Sequence, residues 1–167
     1  MQMQLSRLAD LSIIYKIREI MESTSFGFAS GSYRVIDGYP NDLDFKTDAK
    51  WPTITVEIDS LFGRDIEIGS NQWPALQVSI DVFARTDSQR DDLTYGLWKQ
   101  LNEKNYTLYD FNSAFPSTVG DYTGISSLGE YALSTLSVFN LDGPDDTIIE
   151  GMKHHSLIDG ILYLPNI

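Results

Sequence analysis

Apolar and polar residues alternate most regularly over Ala75–Arg85. Leu76, Val78, Ile80, Val82 and Ala84 are apolar, while Gln77, Ser79, Asp81 and Arg85 are polar, with Phe83 as the exception. Period two predicts a strand with one face on a core and the other in water. Thr86-Asp87-Ser88-Gln89 then reads as a capping box, with Thr86 as N-cap and Gln89 three residues on. The pattern switches to helical spacing, placing Leu93, Leu97 and Leu101 on one stripe with Trp98 beside it. Gly96 sits on that apolar side, where a glycine costs about 1 kcal/mol relative to alanine. Close approach of the helix to the sheet is the expected reason.

The same two periods organise the chain on either side. Leu5–Ser23 predicts a first helix, with Ile13, Ile14, Ile17, Ile20 and Met21 on one face and Leu8 and Leu11 widening it. Tyr33–Ile36 reads as a short strand stopped by Asp37-Gly38. Over Thr53–Ser60, Ile54, Val56 and Ile58 alternate with Thr53, Thr55, Glu57 and Asp59, and Ile66 and Ile68 resume the alternation after a glycine turn. Tyr106–Asp110 and Tyr131–Leu141 read as further strands. The tail, Ser156–Pro165, is expected as a last edge strand here or as a strand pairing on a neighbouring subunit. The predicted class is α+β, a mostly antiparallel sheet with one face covered by two helices and with long irregular arms.

Those arms, residues 25–50 and 111–130, lack periodicity. Long structureless segments in a compact domain are usually functional or disordered. Phe26, Phe28, Tyr39 and Phe45 in the first arm are read either as loop packing or as anchors for a partner, and Phe115 and Tyr122 stand in the second.

At 167 residues the chain is most simply one domain, with a core over about 5–140 and a C-terminal extension over 141–167. With 42% hydrophobic and 12% aromatic residues it has the composition of a globular protein. No cysteine is present, which excludes disulfides, thiolate metal sites and cysteine nucleophiles. The formal charge of −12 argues against a duplex-DNA or anionic-membrane binder. It suits a solubilised subunit, or a surface past which a polyanion slides without sticking. No run of about 18 apolar residues occurs, and no export signal is predicted at the N-terminus.

Catalytic chemistry has little to stand on. His154-His155 with Glu150 is the nearest approach to a metal site, with Asp145 or Asp146 as a further ligand, but adjacent histidines on a strand point to opposite faces. Solvated turn residues are the plainer reading. Asp42, Asp44 and Asp48 lack the glycine and the terminal glutamate of a calcium loop. Glu57-Ile58-Asp59 is followed by Ser60, where a metal nuclease would need a lysine. The hydrolase nucleophile elbow and the phosphate-loop signature are missing. Asp87, Asp91 and Asp92 open the second helix, favourably placed for its macrodipole, with inter-subunit ion pairs as the sharper alternative. No enzyme activity, cofactor or metal is predicted.

Trp51-Pro52-Thr53-Ile54-Thr55-Val56, the run Ile80–Leu93, and Tyr109-Asp110-Phe111-Asn112 together resemble tail terminator and tail-completion (head–tail joining) proteins of tailed bacteriophages. The first helix and the strand–helix unit follow that family's order of elements, and the resemblance spans about residues 5–140. It implies a small α+β subunit of a hexameric ring that caps the tail tube and joins it to the neck or head connector. In contractile tails the ring also contacts the sheath. Implied partners are the tube protein, the neck or connector protein and other copies of the chain, in a virion assembled in the host cytoplasm. On this reading the wet odd face, with Glu57, Asp59, Gln77, Ser79 and Asp81, lines the channel through which DNA passes without specific binding. Arg85 joins it as a candidate interface residue, and the two arms contact neighbours, tube or neck. No catalytic residue is implied. The alternatives are another neck subunit, such as a stopper or adaptor, and a non-viral binding module or an enzyme with a diffuse site.

Overall fold

Stretches of period two become strands and stretches of period 3.6 become helices in the computed structural model, which describes residues 2–38, 50–59, 75–112, 114–141 and 154–164. The elements are α1 (Gln2–Glu22), β1 (Arg34–Asp37), β2 (Thr53–Asp59), β3 (Ala75–Ala84), α2 (Asp87–Leu101), β4 (Lys104–Tyr109), β5 (Ser127–Asn140) and β6 (His154–Tyr163). The described strands form a six-stranded sheet in the order β1-β2-β3-β6-β5-β4. β1 and β2 run parallel, and every other neighbouring pair is antiparallel. The fold is therefore α+β, as the patterns predict.

Register explains the core. Ile54 pairs with Val82 and Val56 with Ile80, and Ile80 in turn pairs with Ile158 and Leu76 with Leu162. All of these side chains are buried on the face the helices cover. α1 adds Ile13, Ile14, Ile17, Ile20 and Met21, and α2 adds Leu93, Leu97 and Leu101, to one continuous cluster. Each fully buried aliphatic side chain contributes about 1.5–3 kcal/mol. The cap of α2 forms as its sequence indicates: the Gln89 N–H donates to Thr86 Oγ1 at 3.2 Å. The reciprocal bond reaches one residue further back, from the Arg85 N–H to Gln89 Oε1 at 3.0 Å.

Three expectations are corrected. The C-terminal segment is neither an edge strand nor an extension. β6 lies inside the sheet between β3 and β5, and Ile158 and Leu162 are fully buried. The second arm ends earlier than read, because β5 starts at Ser127. Gly96 does mark a close approach, but to Phe26 rather than to the sheet. A Cβ there would stand 2.3 Å from the tip of the Phe26 ring. A second close approach, partly to backbone, falls at Gly160, where a Cβ would lie 2.5 Å from Leu136 Cδ2 and 2.9 Å from the Ser134 carbonyl oxygen. That part of β5 is irregular in register and holds Thr135 at φ 54°, in the left-handed region. The expected strand at Ile66 and Ile68 lies outside the described residues, and β2 pairs directly with β3.

Candidate interface surfaces

The face of the sheet away from the helices is built from the odd positions of β2, β3 and β6. Register sets Glu57 opposite Ser79, Ser79 opposite Asp159, and Asp59 opposite Gln77. Glu57, Asp59 and Gln77 are exposed, as expected. The structure adds Asp159, which accepts from Gln77 Nε2 at 3.1 Å and from Ser79 Oγ at 2.9 Å. The sequence does not point to Asp159, because its segment reads as an edge strand or as a strand pairing on a neighbouring subunit, with no register against β3. Glu57, Asp59 and Asp159 thus give this end of the face a negative potential.

The other end of the same face is closed. Asp81, expected in water, is buried, as are Thr53, Thr55, Phe83 and His155. The reason is a polar pair supplied by β6. His155 Nε2 lies 2.5 Å from Asp81 Oδ1, and Thr55 Oγ1 donates to Asp81 Oδ2 at 3.5 Å. The imidazole also stacks on Phe83, with ring centroids 4.2 Å apart. Asp81 is therefore an interior residue and no part of a channel lining. Arg85, one residue past β3, is exposed and stands beside the start of α2 rather than on the sheet face.

His154 and His155 point to opposite faces, as adjacent strand residues must. They are not turn residues: both lie in β6, and His154 Nδ1 lies 2.6 Å from Asp87 Oδ1 at the start of α2. Asp87 also receives Arg90 Nη1 at 3.2 Å, while Arg90 Nη2 reaches Asp91 at 2.8 Å. Arg90 itself is buried, which its place in an acidic helix start does not suggest. Among the described residues no cluster of three or more His, Asp or Glu is arranged to hold a metal ion. Glu150, Asp145, Asp146, Asp42, Asp44 and Asp48 lie outside the described residues.

The arm aromatics divide. Phe26 and Phe28 are half-buried against the chain's own core. Tyr122 stacks on Tyr109 with centroids 4.1 Å apart, and Phe115 stacks on Phe111 at 5.7 Å. Burial, with Glu19 nearby, holds the Tyr122 hydroxyl well above its usual range. Phe115 is the exception among the described arm aromatics, at 57% exposed. Tyr39 and Phe45 lie outside the described residues. Further apolar exposure occurs at Tyr95 on α2 and at Val138, Phe139 and Leu141 at the end of β5.

Asp10 on α1 has a buried Oδ1 with no hydrogen-bond partner among the described residues. Burial first, then Asp37 and Glu57, pushes its carboxyl from 3.8 up to about 7. The folded state therefore holds this proton where the unfolded chain has lost it. Stability attributable to Asp10 is full below the unfolded value and declines as pH rises towards 7. Asp10→Asn should raise stability by on the order of 1 kcal/mol at about pH 8, after discounting for partial solvent access. The gain should vanish near pH 4, as denaturant titrations at the two pH values will show. An equal effect at both would mean that the change acts through packing.

Comparison with protein families, with characterised proteins and with solved structures finds no match to this chain.

Proposed function

We propose that the chain is a virion structural protein of a tailed bacteriophage: a tail terminator subunit that assembles into a hexameric ring at the head–tail junction. The ring would cap the tail tube and join it to the neck, and would contact the sheath if the tail is contractile. The observation that carries this reading is the order α1, β1–β3, α2, β4 with both helices on one face, built around the strand, cap and helix of Ala75–Leu101. The run Ile80–Leu93 within it is one of the three stretches that bear the family resemblance. Two further features support it. The exposed end of the free sheet face carries Glu57, Asp59 and Asp159, a surface that repels a passing polyanion. Exposed apolar side chains at Tyr95, Phe115 and Phe139 suit a chain that finishes burying its surface in an assembly.

Mass in solution tests the ring directly. Six copies of an 18.8 kDa chain are expected at high concentration, and a monomer at every concentration would overturn the ring. Direct binding to tail tube protein separates a terminator from other neck subunits. Binding to a connector protein alone would favour a stopper or adaptor.

A further inference from the structure

On a chain with 24 acidic and only 12 basic residues, three cations converge on one cleft. Arg18 comes from α1, Arg34 from the start of β1 and Lys50 from the segment before β2, around a cavity of about 410 Å³ that Gly31, Ile36 and Val119 also line. Arg18 is held in place: its Nη2 donates to the Val35 carbonyl at 3.1 Å, and its guanidinium lies 5.1 Å from the centre of the Tyr15 ring. Neither Arg18 nor Lys50 is paired with a carboxylate among the described residues. Positive charge gathered in a concave site attracts anions more strongly than the same charges spread on a convex surface.

Charge complementarity selects the occupant. Among the described residues, the densest acidic run is the start of α2, with Asp87, Asp91 and Asp92. Asp91 remains 59% exposed beside Arg90, and Asp92 is exposed with no partner among the described residues. Tyr95 follows them at the spacing that shares a helix face, is 62% exposed and stacks on Trp98. α2 packs over β3, β6 and β5, whereas the cleft lies between α1 and β1 at the far edge of the sheet. A chain therefore cannot fill its own cleft with α2. Two different surfaces that match across copies make a head-to-tail contact, the kind that closes into rings.

We propose that the α1–β1 cleft of one copy receives the Asp91–Asp92–Tyr95 face of α2 from a second copy. The carboxylates meet Arg18 and Lys50, and the Tyr95 ring covers the Ile36 and Val119 wall. This contact rests on the ring reading above and names its interface.

The test is a charge swap on the full chain, read by mass in solution. Lys50→Glu and Asp92→Lys, both at exposed positions, should each weaken assembly roughly tenfold or more, and the two together should recover most of the loss. Tyr95→Ala should weaken assembly without recovery by either charge change. Unchanged unfolding midpoints will show that the variants are folded. Assembly should also weaken as salt rises from about 0.05 M to about 0.5 M, as screening shortens the reach of these charges. Single variants that leave assembly intact, or a double variant that recovers nothing, would overturn this interface while leaving the ring standing. A wild-type chain that never assembles would instead remove the ring itself. Loss of binding to a duplex DNA oligonucleotide in Lys50→Glu, with assembly unaffected, would reassign the cleft to nucleic acid.

Discussion

A chain ending at Leu141 is expected to lose cooperative folding. Such a truncation removes β6, which pairs along its whole length with β3 and over much of it with β5. Ile158, Leu162 and Leu164 leave the core with it. At about 1.5–3 kcal/mol each, their loss alone approaches the total of about 5–15 kcal/mol that holds an ordinary domain together. The damage extends further, because β3 and β5 would both become unpaired edges with buried apolar faces. Circular dichroism during thermal unfolding should show no sharp transition, and the truncated chain should aggregate. A retained cooperative transition near the full-length midpoint would mean that β3 and β5 close on each other without β6.

That outcome bears on what local sequence can reveal. α1, β2, β3 and α2 are legible because their apolar residues repeat with the period of the element. In β6 they do not. Its apolar residues come as the doublets Leu157-Ile158 and Ile161-Leu162, separated by Asp159-Gly160. Burial along β6 nonetheless alternates from Ser156 to Tyr163, with Leu157 and Ile161 half-buried on the second face. Its position also depends on pairing with residues far away in the chain, which no local pattern encodes.

The candidate surfaces show the same division. Alternation alone places Glu57, Asp59 and Gln77 in water, and all three are exposed in the described structure. Asp81 follows the same alternation yet is buried, because its environment is set by His155, 74 positions further on. Gly96 signalled a close contact through its helix cost, but a glycine announces only that space is needed. That the space belongs to the Phe26 ring was not legible.

Asp81→Val should cost about 3–5 kcal/mol, the range for breaking a buried pair by removing one partner. The loss is large because His155 stays buried with its Nε2 facing a site that no longer accepts a hydrogen bond, and Thr55 Oγ1 loses its acceptor as well. Removing both polar partners should be milder. His155→Phe keeps a ring stacked on Phe83 and needs no acceptor. In the Asp81→Val, His155→Phe double variant neither member of the pair is left wanting the other, so its cost should fall below that of Asp81→Val alone. Denaturant unfolding of the two single variants and the double variant gives the coupling as a double-mutant cycle. A coupling above about 1.5 kcal/mol is expected, and additive losses would mean that the two side chains contribute through packing rather than through their bond. Both residues are buried, and neither is among the side chains that the inter-copy contact uses. The double variant, once folded, should therefore assemble as the wild type does, which separates the stability of the sheet from the chemistry of its surfaces.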